Sequence, residues 1–414
     1  MSFARCTAPL LFLMVAVDTM GNRAAAQGIG APIRLDRQRV IELSSAQAPD
    51  ILLARARANE TRALRIGAGA YAPTNPELAV SAGPHFYPDN TLTPDWAISL
   101  QWPIDVSRAR SARITAVEES VRAADGEALA AARTVIAEAL DLLVRTLGAN
   151  ERVRIEMQRV GLDESLLQVA QARRRAGTTG DAEVALALVL RADSQARLRT
   201  AEAERDAALV MLRTRIGLDA AAQIELIEAG LDDEPPPLEQ LLGRLAGRAD
   251  LMVAAARRKA AQADVTLQRR LGIPVPRIFA TGGRSNEYYF EAGVQMPLPV
   301  YQSNQTNRAV AVARTETSRV EEQSVRARAE GEIRTAYLLY RGAQAAYLTL
   351  RDALPAITDA DHLATRSFEL GQSTLTSLLG ARREVLSARV ALVEAQITIR
   401  RTRLGVDAAA GRLP

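Results

Sequence analysis

The stretch Asp95–Asp105, DWAISLQWPID, decides the fold, and its pattern returns 194 residues later at Tyr289–Pro299, YFEAGVQMPLP. In the first, Trp96, Ile98, Leu100 and Trp102 fall on one side of an extended chain, with Ala97, Ser99 and Gln101 on the other. In the second, Phe290, Ala292, Val294 and Met296 alternate with Glu291, Gly293 and Gln295. Strict alternation predicts a strand with one apolar face and one wet face. Each strand is followed by proline (Pro103; Pro297 and Pro299) and then by a very long helical pattern.

Working outward, Glu77–Gly83 reads as a partner strand, separated from the first by the Pro-, Asp- and Asn-rich stretch Pro84–Pro94, so 77–104 is expected to be a hairpin. Before it, Leu35–Ser45 reads as a short helix and Pro49–Ile66 as another, stopped by Gly67, Gly69, Pro73 and Pro76. After it, no proline occurs between Pro103 and Pro235. Ile114, Val117, Val121 and Ala124 recur at helical spacing, and the pattern predicts one helix over 107–174. Such a helix is about 100 Å long at 1.5 Å per residue, too long for the interior of a compact domain. It breaks at Ala176–Asp181, AGTTGD, where Gly177 suits a left-handed C-cap and Thr179 or Asp181 could cap a returning helix over 182–216.

Residues 220–247 read as an irregular insert carrying Asp232-Asp233-Glu234 and Pro235–Pro237. The chain then begins again. Asp250, Ala254, Ala256, Arg257 and Ala263 repeat Asp50, Ala54, Ala56, Arg57 and Ala63, and Pro276 and Gly283 repeat Pro76 and Gly83. A second hairpin is expected over 276–299, a second long helix over 304–370 with a kink at Pro355, and a last helix over 375–404. Arg401–Asp407, RTRLGVD, closes the second half where Arg213–Asp219, RTRIGLD, closes the first. The expected organisation is therefore a leader at 1–26, a first repeat at 27–219, the insert, and a second repeat at 248–414.

The leader reads as a secretory signal peptide: Arg5, the apolar run Ala8–Val17, and Ala24-Ala25-Ala26 as a cleavage site. The single cysteine, Cys6, precedes the apolar run, which is the wrong place for a lipoprotein anchor, so a mature chain is expected to have neither disulfide nor thiolate metal site. Lys and Arg total 52 against 48 Asp and Glu, and the arginines are interleaved with acids along the helices. That is a solvated, ion-paired surface, and no nucleic-acid partner is expected. Ten of the sixteen aromatic residues crowd into Tyr71–Trp102 and Phe279–Tyr301, two windows that face a special environment.

No stretch beyond the leader reads as a transmembrane helix, whereas strands of this length cross a bilayer when tilted. Four strands cannot close a barrel, and lipid tolerates no open sheet edge, so copies must assemble. Trp96, Ile98, Leu100, Trp102, Tyr288, Phe290 and Val294 are then expected to face lipid, with Phe279 beside them, and Ser99, Gln101, Glu291 and Gln295 a watery lumen.

The doubled helix–strand pattern, the turns AGTTGD and LGQSTLTSLL, and the two RTR heptapeptides resemble the TolC-type outer-membrane efflux channel family over residues 36–413. Met296–Arg314, with Pro297-Leu298-Pro299 and Asn304-Gln305, is similar to the CzcC-type heavy-metal branch, although Asp105-Val106-Ser107-Arg108 stands where that branch usually has Gly-Lys-Arg. The resemblance implies a mainly α fold with a small β part: long antiparallel helical hairpins forming a periplasmic α-barrel, below a twelve-stranded β-barrel to which each chain of a homotrimer gives four strands. It implies residence in the outer membrane of a Gram-negative bacterium. The implied partners are a periplasmic adaptor (membrane fusion) protein and an inner-membrane resistance–nodulation–division pump. The channel itself does no chemistry, so no enzyme activity and no cofactor are expected.

In this family the helix turns form the periplasmic tip, which implies adaptor docking around Gly177, Thr178, Thr179, Asp181, Gly371, Gln372 and Ser373. Any helical hairpin needs glycine and capping residues at such turns, so the same residues also have a purely structural reading. Asp181 and Glu183, with Ser377 on the last helix, are candidates for a constriction; an N-cap or a dipole-favoured surface charge accounts for the acids equally well. Only His85 and His362 are available as imidazole ligands, far apart, so no metal site is expected. The readings left open are a metal-cation exit duct, a general drug or type I protein-secretion duct of the same fold, and a soluble periplasmic coiled-coil scaffold.

Overall fold

The computed structural model describes residues 32–71, 74–86, 92–178, 180–227, 233–285, 287–370 and 372–413. The expected leader, and Thr179 and Gly371 in the two turns, lie outside them. The chain is mainly helical with a small sheet. Strand β1 (Ile33–Leu35) precedes helix α1 (Arg37–Gln47), whose N-cap Asp36 accepts a 2.6 Å hydrogen bond from the Arg39 amide. Leu35 is thus strand rather than the start of that helix. Helix α2 (Pro49–Ala68) leads into β2 (Glu77–Phe86) and β3 (Leu92–Pro103).

Helix α3 (Ala109–Arg175) follows, 67 residues and about 100 Å long. Its start is built by Asp105, whose carboxylate accepts from the Ser107 amide (3.0 Å), the Ser107 hydroxyl (2.6 Å) and the Arg110 amide (3.2 Å). Its end is a Schellman motif: Gly177 sits at φ 70°, and the Gly177 and Thr178 amides close back on Arg174 and Arg173. The returning helix α4 (Asp181–Arg215) starts at Gly180 with no side-chain cap. Asp181 does not cap it; its carboxylate reaches Arg174 of α3 at 2.5 Å instead.

Among its described residues the insert is not wholly irregular. It holds strand β4 (Ile224–Leu226), which pairs in parallel with β1, and helix α5 (Leu238–Gly243), whose Leu241 is buried against Ile333, Tyr340 and Val406. Helix α6 (Ala249–Leu271), β5 (Arg277–Arg284) and β6 (Tyr288–Gln295) lead to α7 (Gln305–Asp352). The stretch 304–370 is two helices rather than one kinked helix: Pro355 has no N–H to give, α7 ends at Asp352, and α8 (Leu354–Glu369) begins anew with the proline in its first turn. Helix α9 (Leu375–Ala409) completes the chain. The main core is a knot halfway along α3, where Ile136, Leu140 and Leu143 meet Leu35 and Val40, Leu212 and Ile216 of the first half, and Leu404 of α9.

The two RTR heptapeptides adopt different conformations. The first ends α4: Gly217 has φ 79°, and its amide and that of Leu218 close on Thr214 and Arg213. The second, expected to stop the last helix, stays helical through Gly405, and α9 runs on to Ala409 before capping on Gly411 at φ 64°. Packing decides the difference. A Cβ on Gly217 would lie 2.4 Å from the Gln47 carbonyl oxygen, whereas nothing lies within 4 Å of one on Gly405. Gly217→Ala is therefore expected to destabilise the chain by about 2 kcal/mol or more, combining left-handed strain with a backbone clash. Gly405→Ala is expected to stabilise it by about 0.5–1 kcal/mol, because alanine is the better helix former. Denaturant unfolding of the two variants reads the opposite signs.

Candidate functional site

The sheet has the order β2-β3-β5-β6, antiparallel throughout. Its register sorts the side chains, because directly paired residues share a face. Leu78 pairs with Leu100, Leu100 with Ala280 and Ala280 with Ala292; Val80 pairs with Ile98, Ile98 with Gly282 and Gly282 with Phe290. Trp96 and Trp102 close the same face through Arg284 and Ile278, next to Tyr288 and Val294. This face is bare: Trp96 is 40 % exposed, Trp102 51 %, Phe290 77 % and Val294 69 %. The opposite face carries Ser81, Ala97, Ser99, Gln101, Thr281, Glu291 and Gln295.

One aromatic residue lies on the other side from its expected position. Phe279 pairs with Gln101 and Gly293, so it belongs to the polar face, not to the apolar face expected to meet lipid. Its ring fills the space over Gly293, where a Cβ would come within 2.9 Å of it, which supplies the packing that glycine cannot. Only the pairing register carries this; Phe279 stands alone as an aromatic in a strand of small residues. Neither outer edge of the sheet, β2 on one side or β6 on the other, pairs with any strand among the described residues. Such edges are templates for further pairing, and in oil they are intolerable.

The far end of the long helices is the second candidate element. Leu166 of α3, Phe368 of α8 and Leu378 of α9 pack together, and the Arg173 guanidinium lies 4.4 Å from the Phe368 ring centroid. The turns at Gly177 and near Ser373 are therefore at the same end. Gln372 closes the second one with a 2.9 Å bond from its amide to Ser367. Glu183 is half-buried near the start of α4. Ser377 serves the start of α9: its amide donates to the Thr374 hydroxyl at 3.2 Å, and the two hydroxyls are 2.9 Å apart. Phe368 and Arg173 were not singled out in the sequence; a lone Phe in a helical pattern carries no signal of its partner.

Above this end, the Asp163 carboxyl is raised from its ordinary value by burial, which outweighs the Ser194 hydrogen bond and the nearby Arg159 and Arg382. A carboxyl held higher in the folded than in the unfolded chain costs stability once pH passes the ordinary carboxylate range, near 4. Asp163→Asn is thus expected to raise stability at neutral pH and leave it unchanged below that range. Unfolding curves against pH test this.

Among the described residues there is no group of three or more His, Cys, Asp or Glu side chains placed to hold a metal ion. His85 Nδ1 lies 3.1 Å from Asp95 at the end of the hairpin, and His362 is exposed on α8. No described helix is long and apolar enough to cross a membrane.

The family model described as OEP, outer membrane efflux protein, matches twice, over residues 40–218 and 244–412. The cobalt-zinc-cadmium resistance protein CzcC of Cupriavidus metallidurans is 26 % identical over 294 residues, 70 % of each chain. Among solved structures, the outer-membrane channel OprN superposes with a TM-score of 0.78 at 20 % identity, covering 91 % of this chain and 89 % of that one. CusC, whose structures are described in terms of transmembrane channel formation, superposes at 0.76 with 16 % identity, covering 94 % and 95 %.

Proposed function

This chain belongs to the outer membrane efflux protein family, and from that premise we propose that three copies close a twelve-stranded barrel above a shared helical tube that conducts substrate passively out of the cell. The observation that carries the reading is the sheet: four antiparallel strands with one exposed apolar face, both edges unpaired, and α3 and α7 leading away from it. Four strands leave two edges; twelve in a ring leave none. The family and its structural neighbours are channels, and the chain sits in the outer membrane of a Gram-negative bacterium with a periplasmic extension.

The tube receives its substrate from an inner-membrane resistance–nodulation–division pump through a periplasmic adaptor. The adaptor docks at the far end, around Gly177, Thr178, Thr179, Asp181, Gly371, Gln372 and Ser373. Gly177 supports this as a left-handed cap that leaves the turn tight and its backbone open. A constriction at Asp181 is a ring of ion pairs rather than of bare carboxylates, because Arg174 offsets each charge. Glu183 stands two residues further along α4, and Ser377 is part of the cap that starts α9. The cargo is a divalent heavy-metal cation: the CzcC relative is a cobalt-zinc-cadmium resistance protein, and the described residues hold no cluster that would trap such an ion in transit.

Deleting the gene tests the proposal. Growth is expected to become sensitive to zinc, cobalt and cadmium and to recover when the gene is restored. Sensitivity to drugs with unchanged metal tolerance would overturn the cargo while leaving the duct. Recovery of the protein as a water-soluble monomer from the periplasm would overturn both.

A further inference from the structure

At the end of the sheet away from the long helices, the register gathers polar residues that stand apart in the chain. His85 pairs with Thr93 and Gly83 with Asp95, so His85, Thr93 and Asp95 share the polar face with Ala97, Ser99 and Gln101. His85 Nδ1 lies 3.1 Å from Asp95 Oδ2, and the Ser285 hydroxyl, arriving from the second hairpin, donates to the same oxygen at 3.1 Å. Ser285 is held in place by its own amide, which donates to the Glu287 carbonyl at 3.2 Å. The imidazole is 46 % exposed and the Asp95 side chain 27 %, so water reaches both.

Two details set this cluster apart from the ion pairs along the helices. Asp95 Oδ1 and the Thr93 hydroxyl are buried and make no hydrogen bond among the described residues. A carboxylate oxygen left in that state is costly, and folded chains leave few of them. Secondly, Asp95 is met by histidine where Asp181 is met by Arg174. Arg284, opposite Trp96 on the neighbouring strand, belongs to the apolar face, with its guanidinium 5.6 Å from the Tyr288 ring centroid. An imidazole and a carboxylate side by side are the donor set of a zinc-class ion. The spacing fits as well: two donors at about 2.1 Å from one ion, set between a right angle and a tetrahedral angle, lie about 3.0–3.4 Å apart.

We propose that His85 and Asp95, with Thr93 and Ser285 around them, form a weak coordination site for a zinc-class divalent cation at the outer mouth of the channel, a last station before release. His85 Nδ1 and the Asp95 carboxylate bind the ion directly, the imidazole keeping its proton on Nε2. Ser285 orients the carboxylate from outside the coordination sphere, and water fills the remaining positions. Magnesium is a poor occupant, because it favours oxygen ligands and gives up its waters reluctantly. Two protein ligands hold an ion briefly and let it go, which suits a conduit. The inference rests on the proposed heavy-metal cargo and on the polar face of the sheet as the lumen.

The test uses the tag-free full chain in detergent, with Cys6→Ser throughout so that no thiol competes. Equilibrium dialysis is expected to find one readily exchanged Zn2+ per chain, displaced by Co2+ or Cd2+ and not by Mg2+. His85→Gln is expected to abolish this binding, Asp95→Asn to weaken it by about tenfold or more, and Ser285→Ala by about tenfold. His362→Gln is expected to leave it unchanged. A second measurement needs no substitution: Zn2+ is expected to protect His85, and not the exposed His362, from carbethoxylation by diethylpyrocarbonate, read by mass spectrometry. Absence of bound zinc, binding that survives His85→Gln, or equal displacement by Mg2+ would each overturn the site. If deleting the gene sensitises cells to metals while His85 takes no zinc, the cargo reading stands and this site falls. If His85 takes zinc while deletion spares metal tolerance, a metal site remains, but its role on the exit path is overturned with the cargo.

Discussion

Asp407→Asn is expected to lower the unfolding free energy by about 3–5 kcal/mol, the usual result of removing one partner from a buried ion pair. The Asp407 side chain is 5 % exposed and Arg403, one turn before it on α9, is 8 % exposed, with 2.5 Å between them. Arg412 approaches the same carboxylate at 3.1 Å and Arg37 at 3.7 Å. The carboxylate therefore ties α9, the segment after it and the start of α1, while Arg403 also donates to the Asp233 carbonyl of the insert at 2.6 Å. Removing its charge leaves guanidinium groups crowded in a place where water cannot replace the lost partner. The matched position in the first heptapeptide is the control. Asp219 is exposed and accepts only a turn hydrogen bond from Ala221 at 2.7 Å, so Asp219→Asn is expected to cost less than about 1 kcal/mol. Denaturant unfolding of both variants decides it; equal losses would show that Asp407 is not the tie described.

Ile98→Arg is expected to abolish assembly in the outer membrane, while Ser99→Arg, one residue on, assembles. Ile98 lies near the middle of β3 on the apolar face, 47 % exposed, between Val80 and Gly282. A cation at mid-bilayer on a lipid face costs about 2–4 kcal/mol per site, and a ring of three copies repeats the cost three times. Ser99 pairs with Ala79 and Thr281 on the polar face, where a guanidinium meets water. Fractionation of membranes, followed by detergent electrophoresis without heating, reads the outcome. Normal assembly of both variants would rule out lipid against the tryptophan face. Failure of both would point to a strand that tolerates no change, whichever way it faces.

The local physics of the chain was legible in one dimension. Alternation at Trp96–Trp102 placed the strand and its wet side, because a strand's faces follow from parity alone. The absence of proline from Ile104 to Glu234 and the three-and-four spacing in α3 set the long helix, and Gly177 its end, because caps and breaks are local chemistry. What stayed hidden depended on distant partners. Phe279 needed the pairing with Gly293, the insert needed the β1–β4 pairing and the Leu241 contacts, and Asp181 needed Arg174.

The heptapeptides draw the line most sharply. By itself the sequence determined that RTRIGLD and RTRLGVD are copies, and that both sit at the close of a helix-rich repeat. Only the tertiary structure decided that one stops its helix and the other does not. The Gln47 carbonyl presses so close to Gly217 that no side chain fits, while Val406 and Asp407 are buried among partners that hold α9 helical past Gly405. A glycine permits either conformation at little cost, so the choice passes to whatever packs against it.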